Sequence, residues 1–283
     1  MKIEKTTLEE FREELLATGK YSTKETHRAA ERAKKSALTT LRFTLGVSKV
    51  FPQCAIAEPF GRLDTDKWAH YCFSTVQIAE RLGMNVNFEG WGNRAAYKGP
   101  VMYLCNHMST VETILLPPAL LSYGPFNIVV KASLSHLPFL KKAAAHMGLV
   151  PVGRKSPRED LMTILKTGTE RIKAGNSFLI FPQGSRERVF SRKLYSSIGA
   201  KLAEKAGVPV CPIAVDTRCQ PTREKGVFAK IFKDFGTVDT AYDIRCACGP
   251  LIECAKAREM HEKSFDWIAG KLEEWGLPVE RQG

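Results

Sequence analysis

Short apolar runs alternate with longer amphipathic stretches from Gly83 onward, and this alternation limits the possible folds more than any other feature of the chain. A short apolar run is typical of a strand, and apolar residues spaced three and four apart are typical of a helix. Strands that alternate with helices build a sheet covered by helices. We therefore expect an α/β fold with a mixed sheet. The predicted strands are 85–89, 101–105, 127–131, 149–152, 177–181, 208–215 and 244–248, and the predicted helices are 109–122, 137–147, 158–174, 194–206 and 253–275.

The first 84 residues have a different pattern, which predicts a helical extension. Capping-box patterns begin at Thr7 and Ser22, and Gly19 is placed to end the first helix. A second helix is predicted from Ser22 to Leu45, a Gly- and Pro-rich loop over 46–63, and a third helix from Asp64 to Leu82. The predicted domains are a helical region over residues 1–84 and an α/β domain over residues 85–283.

Residues 22–50 allow two interpretations. The segment either packs against the rest of the protein or forms a basic amphipathic surface that lies on an anionic membrane. The second interpretation depends on cations beside apolar side chains, namely Lys34, Lys35, Arg42 and Lys49 beside Leu38, Leu41, Phe43, Leu45 and Phe51.

The net charge of +12 is unevenly distributed. Residues 131–205 contain 15 Lys/Arg and 5 Asp/Glu, a net of +10, which suits an anionic partner. Phosphate groups, an anionic membrane and an acidic carrier protein all meet this condition, and so does a solvated basic face with no partner. Nucleic acid is disfavoured because the segment has neither an aromatic platform nor a helix-turn-helix pattern.

Targeting and redox features are few. The N-terminus has no signal-peptide pattern and no apolar run is long enough to span a membrane, so we expect a cytoplasmic protein, peripheral on the inner face of a membrane. None of the eight cysteines forms a C-x-x-C pair, so reduced thiols are expected and no metal site is predicted.

A histidine and a carboxylate follow the predicted strand 101–105. His107 and Glu112 are too far apart around one continuous helix to share a face. If the helix begins near Ser109, however, Glu112 lies in its first turn and reaches back to the imidazole. A carboxylate on one ring nitrogen leaves the other nitrogen as a base. The alternative is structural, because Ser109 to Glu112 is also a capping-box pattern.

A second motif, Phe-Pro-Gln-Gly-Ser-Arg over 181–186, follows the predicted strand 177–181. Gly184 and Ser185 form a turn whose backbone N–H groups suit an anion, and the guanidinium of Arg186 suits a phosphate. Two more cations, Lys131 and Arg154, also follow predicted strands. Exposed charges that face different ways are the alternative explanation.

Four ordered blocks resemble the motifs of the glycerolipid acyltransferase family, which includes lysophosphatidate (1-acylglycerol-3-phosphate) and glycerol-3-phosphate acyltransferases. The resemblance covers about residues 85–250. It rests on Asn106-His107 with Glu112, on 148–154, on 181–186, and on Val208-Pro-Val-Cys-Pro212.

The resemblance implies a mechanism. A histidine at the position of His107 removes the proton of the acceptor hydroxyl, and an acid at that of Glu112 orients it. The hydroxyl attacks an acyl thioester of coenzyme A or acyl carrier protein, without an acyl-enzyme, metal or other cofactor. Cations at the positions of Arg154 and Arg186 bind the acceptor phosphate, and the block around Pro212 shapes the acyl-donor side.

Two positions depart from the usual pattern of that family. Glu112 stands where Asp is usual, and its extra methylene moves the carboxylate by about 1–1.5 Å. Gln183 stands where Glu is usual, which removes a carboxylate from the turn. These departures leave two alternatives to a lysophosphatidate acceptor: a different lysolipid, such as an amino-acid-derived one, or a lipid-binding homologue with weakened catalysis.

Overall fold

The computed structural model describes residues 3–132, 147–153, 156–220 and 236–282. Most of the predicted helix 137–147 and the predicted phosphate ligand Arg154 lie outside these ranges. The helices are α1 (Leu8–Thr18), α2 (Ala37–Ser48), α3 (Val50–Ala57), α4 (Thr65–Cys72), α5 (Ser74–Arg81), α6 (Gly92–Ala95), α7 (Val111–Leu120), α8 (Pro157–Lys173), α9 (Ile198–Ala206) and α10 (Ala257–Glu274). The strands are β1 (Tyr21–Ser22), β2 (Val86–Glu89), β3 (Met102–Cys105), β4 (Phe126–Lys131), β5 (Leu149–Val152), β6 (Ser177–Ile180), β7 (Phe190–Ser191), β8 (Val210–Asp216), β9 (Ile244–Cys248) and β10 (Val279–Glu280).

The mixed α/β architecture predicted from the sequence is confirmed. Within the described ranges, eight strands form one sheet in the order β1-β2-β9-β8-β3-β6-β4-β5. The run from β8 to β5 is parallel, β9 is antiparallel to β8, and β2 is parallel to β9. The short strands β7 and β10 form a separate parallel pair.

The central strand β3 is apolar throughout because both faces of the sheet are covered. Along β3, Tyr103 and Cys105 belong to one buried cluster, whereas Met102 and Leu104 belong to another. The first cluster includes side chains of α1 to α5 and α7, and the second includes side chains of α8, α9 and α10. The two-residue period of a strand therefore divides the core between two helical layers.

The first helix has the predicted limits. The Thr7 hydroxyl accepts a hydrogen bond from the backbone N–H of Glu10, and the Glu10 carboxylate accepts one from that of Thr7. Gly19 ends the helix in the left-handed conformation, at φ +68°. The capping box thus satisfies amide groups that a helix N-terminus leaves without intrahelical partners.

The predicted second helix from Ser22 to Leu45 is wrong in its first half. Tyr21 and Ser22 pair with β2, and the backbone N–H groups of Ala29 and Ala33 donate to the carbonyls of Glu80 and Leu82. These long-range bonds replace the helical ones. The helix begins only after Ser36, whose hydroxyl accepts from the backbone N–H of Thr39.

The loop predicted over 46–63 is also wrong in part, because it contains α3. Pro52 suggested a break, but it lies in the first turn of that helix, where a proline removes no intrahelical hydrogen bond. The boundary predicted between residues 84 and 85 stays a prediction.

An irregular strap over residues 29–36 joins the N-terminal region to the segment 237–243. Arg32 bonds through one nitrogen to the Asp243 carboxylate, at 2.6 Å, and through another to the Thr240 carbonyl, at 2.5 Å. Lys35 lies 3.0 Å from the Asp239 carboxylate. The strap thus connects parts of the chain that are about 200 residues apart.

Candidate active site

Parallel strands bring the two predicted motifs to one edge of the sheet. The strands β3, β6 and β8 are neighbours and parallel, so their carboxyl ends lie side by side. His107 follows β3, Phe181 follows β6, and Thr217 follows β8. The imidazole of His107 stacks on the Phe181 ring at a centroid distance of 4.3 Å and an interplanar angle of 21°. Loops after such strand ends are the usual place for functional groups in α/β folds.

His107 and Glu112 are in direct contact. Nδ1 of the imidazole lies 2.9 Å from Oε1 of the carboxylate, across the loop that precedes α7. Because α7 begins at Val111, Glu112 lies in its first turn and reaches back to the histidine. The geometry expected for a helix that starts near Ser109 is therefore present.

The carboxylate of Glu112 is fully buried, and five donors converge on it. Oε1 accepts from His107 Nδ1 and from the backbone N–H groups of Met108 and Ser109, at 2.6 and 2.7 Å. Oε2 accepts from the hydroxyls of Ser109 and Thr217, at 2.7 and 2.8 Å. Burial alone raises the pKa of Glu112, but the hydrogen bonds and charge of His107 and the bonds from Ser109 outweigh it and leave the pKa below its ordinary value.

These contacts also bear on the alternative interpretation of Glu112 as a helix-capping residue. The bond from the Ser109 N–H to Oε1 is the carboxylate half of a capping interaction, so Glu112 does cap the chain before α7. The same oxygen contacts His107. One carboxylate therefore fixes both the helix start and the imidazole, and the two interpretations are compatible.

Two neighbouring amides fix the backbone on either side of the imidazole. Asn106 bonds through its side-chain oxygen and nitrogen to the backbone N–H and carbonyl of Val215, at 2.8 and 2.9 Å, which continues the strand ladder between β3 and β8. Gln183 is 7% exposed, and its amide nitrogen donates to the Val189 carbonyl. Its oxygen accepts from the backbone N–H of His107 at 3.4 Å. Gln183 thus binds backbone groups within the site.

Arg186 contacts the histidine loop, which is the stretch of residues 106–110 between β3 and α7. Its Nη1 donates to the Thr110 hydroxyl at 2.6 Å, and the next residue, Glu187, donates its backbone N–H to the His107 carbonyl at 2.8 Å. An open cleft of about 550 Å³ is lined by the cations Arg186, Arg188 and Lys193 and by the carboxylates of Glu187 and Glu280. This arrangement places positive charge beside the imidazole.

The other predicted site residues lie in different surroundings. Gly184 is exposed at φ +69° in the turn before Arg186, and Ser185 is half-buried beside it. Lys131 is exposed at the end of β4, at the same edge of the sheet. Pro212 is buried within β8, opposite Leu104 of β3. Arg154 lies outside the described residues.

One contact of Glu112 went unpredicted. Thr217 lies 105 residues after Glu112 in the chain, and no local motif joins them. The available signal was its position two residues after the predicted strand 208–215, at the edge where His107 was expected.

Neither a membrane-spanning helix nor a metal-binding cluster occurs within the described ranges. No helix there combines the length and the apolar character required to cross a membrane. The same ranges hold no group of three or more His, Cys, Asp or Glu side chains arranged to hold a metal ion.

Comparisons in sequence point to one family. Residues 85–216 match the family described as Acyltransferase. The chain is 34% identical over 134 residues to a 1-acyl-sn-glycerol-3-phosphate acyltransferase of Pseudomonas aeruginosa, covering 47% of this chain and 51% of that protein. It is 30% identical over 145 residues to a chloroplastic 1-acyl-sn-glycerol-3-phosphate acyltransferase of Arabidopsis thaliana, covering 50% and 39%. The matches thus span about half of these relatives' length or less.

The fold is similar to that of a solved structure. The crystal structure of the 1-acyl-sn-glycerophosphate acyltransferase PlsC from Thermotoga maritima superposes with a TM-score of 0.60 at 17% identity, covering 84% of this chain and 95% of that one. The similarity at this identity concerns the fold. Residues 85–216 therefore form a domain that matches the acyltransferase family, as the four motif blocks predict.

Proposed function

We propose that the protein transfers a fatty acyl group from an acyl thioester, of coenzyme A or acyl carrier protein, to the hydroxyl of lysophosphatidate. The observation that carries the proposal is the 2.9 Å contact between His107 and a fully buried Glu112 at an edge shared with Arg186. The similarity to 1-acyl-sn-glycerol-3-phosphate acyltransferases supports the substrate class.

His107 is the general base in this proposal. Its Nδ1–H donates to Glu112, so Nε2 is the nitrogen that accepts the proton of the acceptor hydroxyl. The acceptor oxygen attacks the thioester carbonyl carbon and forms a tetrahedral intermediate. The carbon–sulfur bond then breaks, and the thiolate takes the proton from the imidazolium. The buried negative charge of Glu112 stabilises that imidazolium.

Arg186 binds the acceptor phosphate in the same proposal. Its contact with Thr110 fixes the guanidinium next to the histidine loop. A planar guanidinium suits phosphate oxygens, and the cleft is lined by three cations and two carboxylates, which leaves a net positive charge. Lys131, Arg154, Gly184 and Ser185 remain proposed contributors to phosphate binding, and Pro212 to the acyl-donor side.

Gln183 bears on the choice of acceptor. Because its amide binds backbone groups of Val189 and His107, its substitution for the usual glutamate has a structural explanation within the turn. That explanation removes one reason to expect an amino-acid-derived lysolipid as the acceptor. The contact of Glu112 with His107 likewise favours an active enzyme over a binding protein with weakened catalysis.

The test is transfer of labelled acyl chains to lysophosphatidate, with acyl-CoA and acyl carrier protein as separate donors. His107→Ala should lower turnover by at least about 100-fold, as the loss of a general base usually does. His27→Ala is the matched control, since that imidazole is also buried and lies 3.5 Å from a carboxylate, that of Glu4. Undiminished turnover in His107→Ala would refute the mechanism. Equal rates with an acceptor that lacks phosphate would refute the role of Arg186.

We also propose that the protein binds the surface of an anionic membrane through α2 and α3. Leu38, Leu41 and Leu45 are exposed by 55%, 36% and 57% on one face of α2, and Ile56 and Phe60 by 68% and 69% nearby in sequence. Arg42 and Lys49 are also exposed, as the membrane interpretation requires. Phe43, which that interpretation included, is instead buried. Apolar side chains beside cations match an interfacial surface.

Vesicle sedimentation tests this surface. Changing Leu38, Leu41 and Leu45 to serine should reduce binding to vesicles of phosphatidylcholine mixed with phosphatidylglycerol by at least about tenfold, because their apolar area no longer enters the lipid. The matched control changes Leu16 and Met162, which are exposed by 47% and 59% on other helices. Unchanged binding of the α2 variant would contradict the proposed surface.

A further inference from the structure

The second oxygen of Glu112 is held by two hydroxyls. The Thr217 hydroxyl lies 2.8 Å from Oε2, the Ser109 hydroxyl lies 2.7 Å from the same oxygen, and the two hydroxyls are 2.9 Å apart. Thr217 and Ser109 are both 0% exposed, so no solvent competes for these bonds. Thr217 itself is fixed where β8 ends, two residues after the strand pairs with Asn106.

A glutamate needs such a restraint more than an aspartate does. It has one more rotatable bond, and its terminal torsion is broad, so its carboxylate plane is weakly fixed by rotamer preference alone. The backbone N–H groups of Met108 and Ser109 hold Oε1 only. A bond to Oε2 is required to fix the plane of the carboxylate, and therefore the direction in which Oε1 faces the imidazole.

We propose that Thr217 is a positioning residue for the acyl transfer: its hydroxyl holds Oε2 of Glu112 so that Oε1 stays on Nδ1 of His107. The proposal rests on the proposed function, because it assigns Thr217 a role through the base of that reaction. Thr217 does not touch the reacting atoms. It acts by keeping the imidazole in the orientation and tautomer that leave Nε2 for the acceptor hydroxyl.

The pH dependence gives a readout that a purely structural role would leave unchanged. Among the described residues, the titratable groups whose charges interact with Glu112 include His107, Cys105 and Cys219, and Arg186 contacts the same loop through Thr110. Burial raises the pKa of both thiols well above its ordinary value, so they stay neutral. Removing a donor from the Glu112 carboxylate makes its charged form less stable, so the carboxylate then depends more on its contact with the imidazole of His107.

The central experiment compares Thr217→Val with Thr217→Ser. The valine variant keeps the shape and loses the hydroxyl, so kcat should fall by about 10- to 100-fold while both KM values stay within about twofold. The acid limb of its kcat/KM profile should move to higher pH, because the carboxylate that contacts the general base has lost a donor. The serine variant should restore both readouts to near wild-type values.

The chain offers a close control in Thr6. This threonine is also buried, and its hydroxyl donates to another buried glutamate, Glu80, at 2.8 Å. Thr6→Val therefore removes the same kind of hydrogen bond outside the site and should leave kcat and the pH profile unchanged. If Thr217→Val does not fold, Thr217→Ala provides the same test with a smaller side chain.

The outcomes separate this inference from the proposed function. If His107→Ala is inactive but Thr217→Val and Thr217→Ala keep kcat within about twofold and the wild-type acid limb, the inference fails and the proposed function stands. If His107→Ala is fully active, the proposed function fails first. Equal losses of kcat in Thr6→Val and Thr217→Val would show a general stability effect and would also overturn the inference.

Discussion

Two buried glutamates of this protein have opposite pKa shifts. The pKa of Glu80 is raised because its burial outweighs the hydrogen bonds from Tyr21, Thr6 and Thr23. The pKa of Glu112 is lowered because its donors outweigh an even more complete burial. The difference comes from the donors, since the Glu112 carboxylate also receives backbone N–H groups and an imidazole that can carry a positive charge.

The opposite shifts predict opposite pH dependences of stability. Glu112 binds fewer protons folded than unfolded, so its contribution is present above the unfolded pKa of about 4.5 and is lost as pH falls through its lowered folded pKa. Glu80 binds more protons folded, so its contribution is present below about 4.5 and is lost as pH rises through its raised folded pKa. At pH 7, Glu112→Gln should therefore lower the free energy of unfolding by on the order of 2–4 kcal/mol. Glu80→Gln should leave it unchanged or raise it.

Urea unfolding at pH 7 and at pH 4 measures both effects. The loss caused by Glu112→Gln should shrink at pH 4, which lies below the unfolded pKa, because the unfolded glutamate there already binds a proton that folding must release. A destabilisation by Glu80→Gln equal to that by Glu112→Gln would contradict the assigned shifts.

The length of the Glu112 side chain yields a second prediction. Glu112→Asp withdraws the carboxylate by about 1–1.5 Å from the imidazole of His107 and from partners that are backbone N–H groups or buried hydroxyls. We expect kcat to fall by about 10- to 100-fold, because this site is built around the longer side chain. Initial rates of acyl transfer at saturating substrate measure this change in kcat. A large gain in rate would show instead that glutamate impairs the native site and would favour the weakened-homologue alternative.

At the scale of elements, a glycine fixes the contact between β2 and β9. Gly90 follows β2 at φ +73°, and a Cβ there would lie 2.2 Å from the Cys248 carbonyl oxygen. Gly90→Ala should cost at least roughly 3 kcal/mol of unfolding free energy, from backbone strain together with the displaced strand. The control is Gly207→Ala, at φ +71° with no atom within 4 Å of a Cβ, which should cost about 1 kcal/mol. Equal costs in thermal or urea unfolding would mean that the close approach is unimportant.

Most elements after residue 85 could be predicted because their signals are local. The predicted strands 149–152 and 244–248 have the observed limits, and the others differ by one or two residues at an end. Apolar runs identify these strands since both faces of the sheet are buried. The helix predicted over residues 22–36 was wrong for the opposite reason. The Ala- and Lys-rich sequence of this segment favours a helix, but long-range contacts with Glu80, Leu82 and β2 determine its backbone conformation.

The candidate site was predictable to a similar extent. Short motifs next to predicted strands contain His107, Glu112 and Arg186. Because those strands are parallel neighbours in the sheet, their carboxyl ends bring the three residues to one edge. The contact of Thr217 with Glu112 and the bond between Arg186 and Thr110 depend on the register between strands that are far apart in the chain. A sequence pattern does not contain that register, whereas the folded sheet fixes it.

At the scale of the whole molecule, the strap over residues 29–36 predicts a long-range contribution to stability. The side chains of Arg32 and Asp243 are exposed by only 35% and 23%, and Asp243 also accepts two hydrogen bonds from Asn85. Arg32→Ala should lower the free energy of unfolding by about 1–2 kcal/mol, more than an exposed pair contributes. Arg281→Ala, which breaks a more exposed pair with Glu273, should cost less than Arg32→Ala does. Equal losses in urea unfolding would argue against a clamping role for the strap.

The position of β9 has a consequence for the order in which the chain folds during synthesis. β9 lies between β2 and β8, so it is the strand that joins the edge formed by β1 and β2 to the other five. Ribosomes add roughly 5–20 residues per second, so β2 waits about ten to thirty seconds for residues 244–248 to emerge. Throughout that interval β2 has an edge with no strand beside it. A nascent chain stalled before residue 244 therefore exposes a strand edge that the finished protein covers, and chaperones or aggregation partners can reach it there.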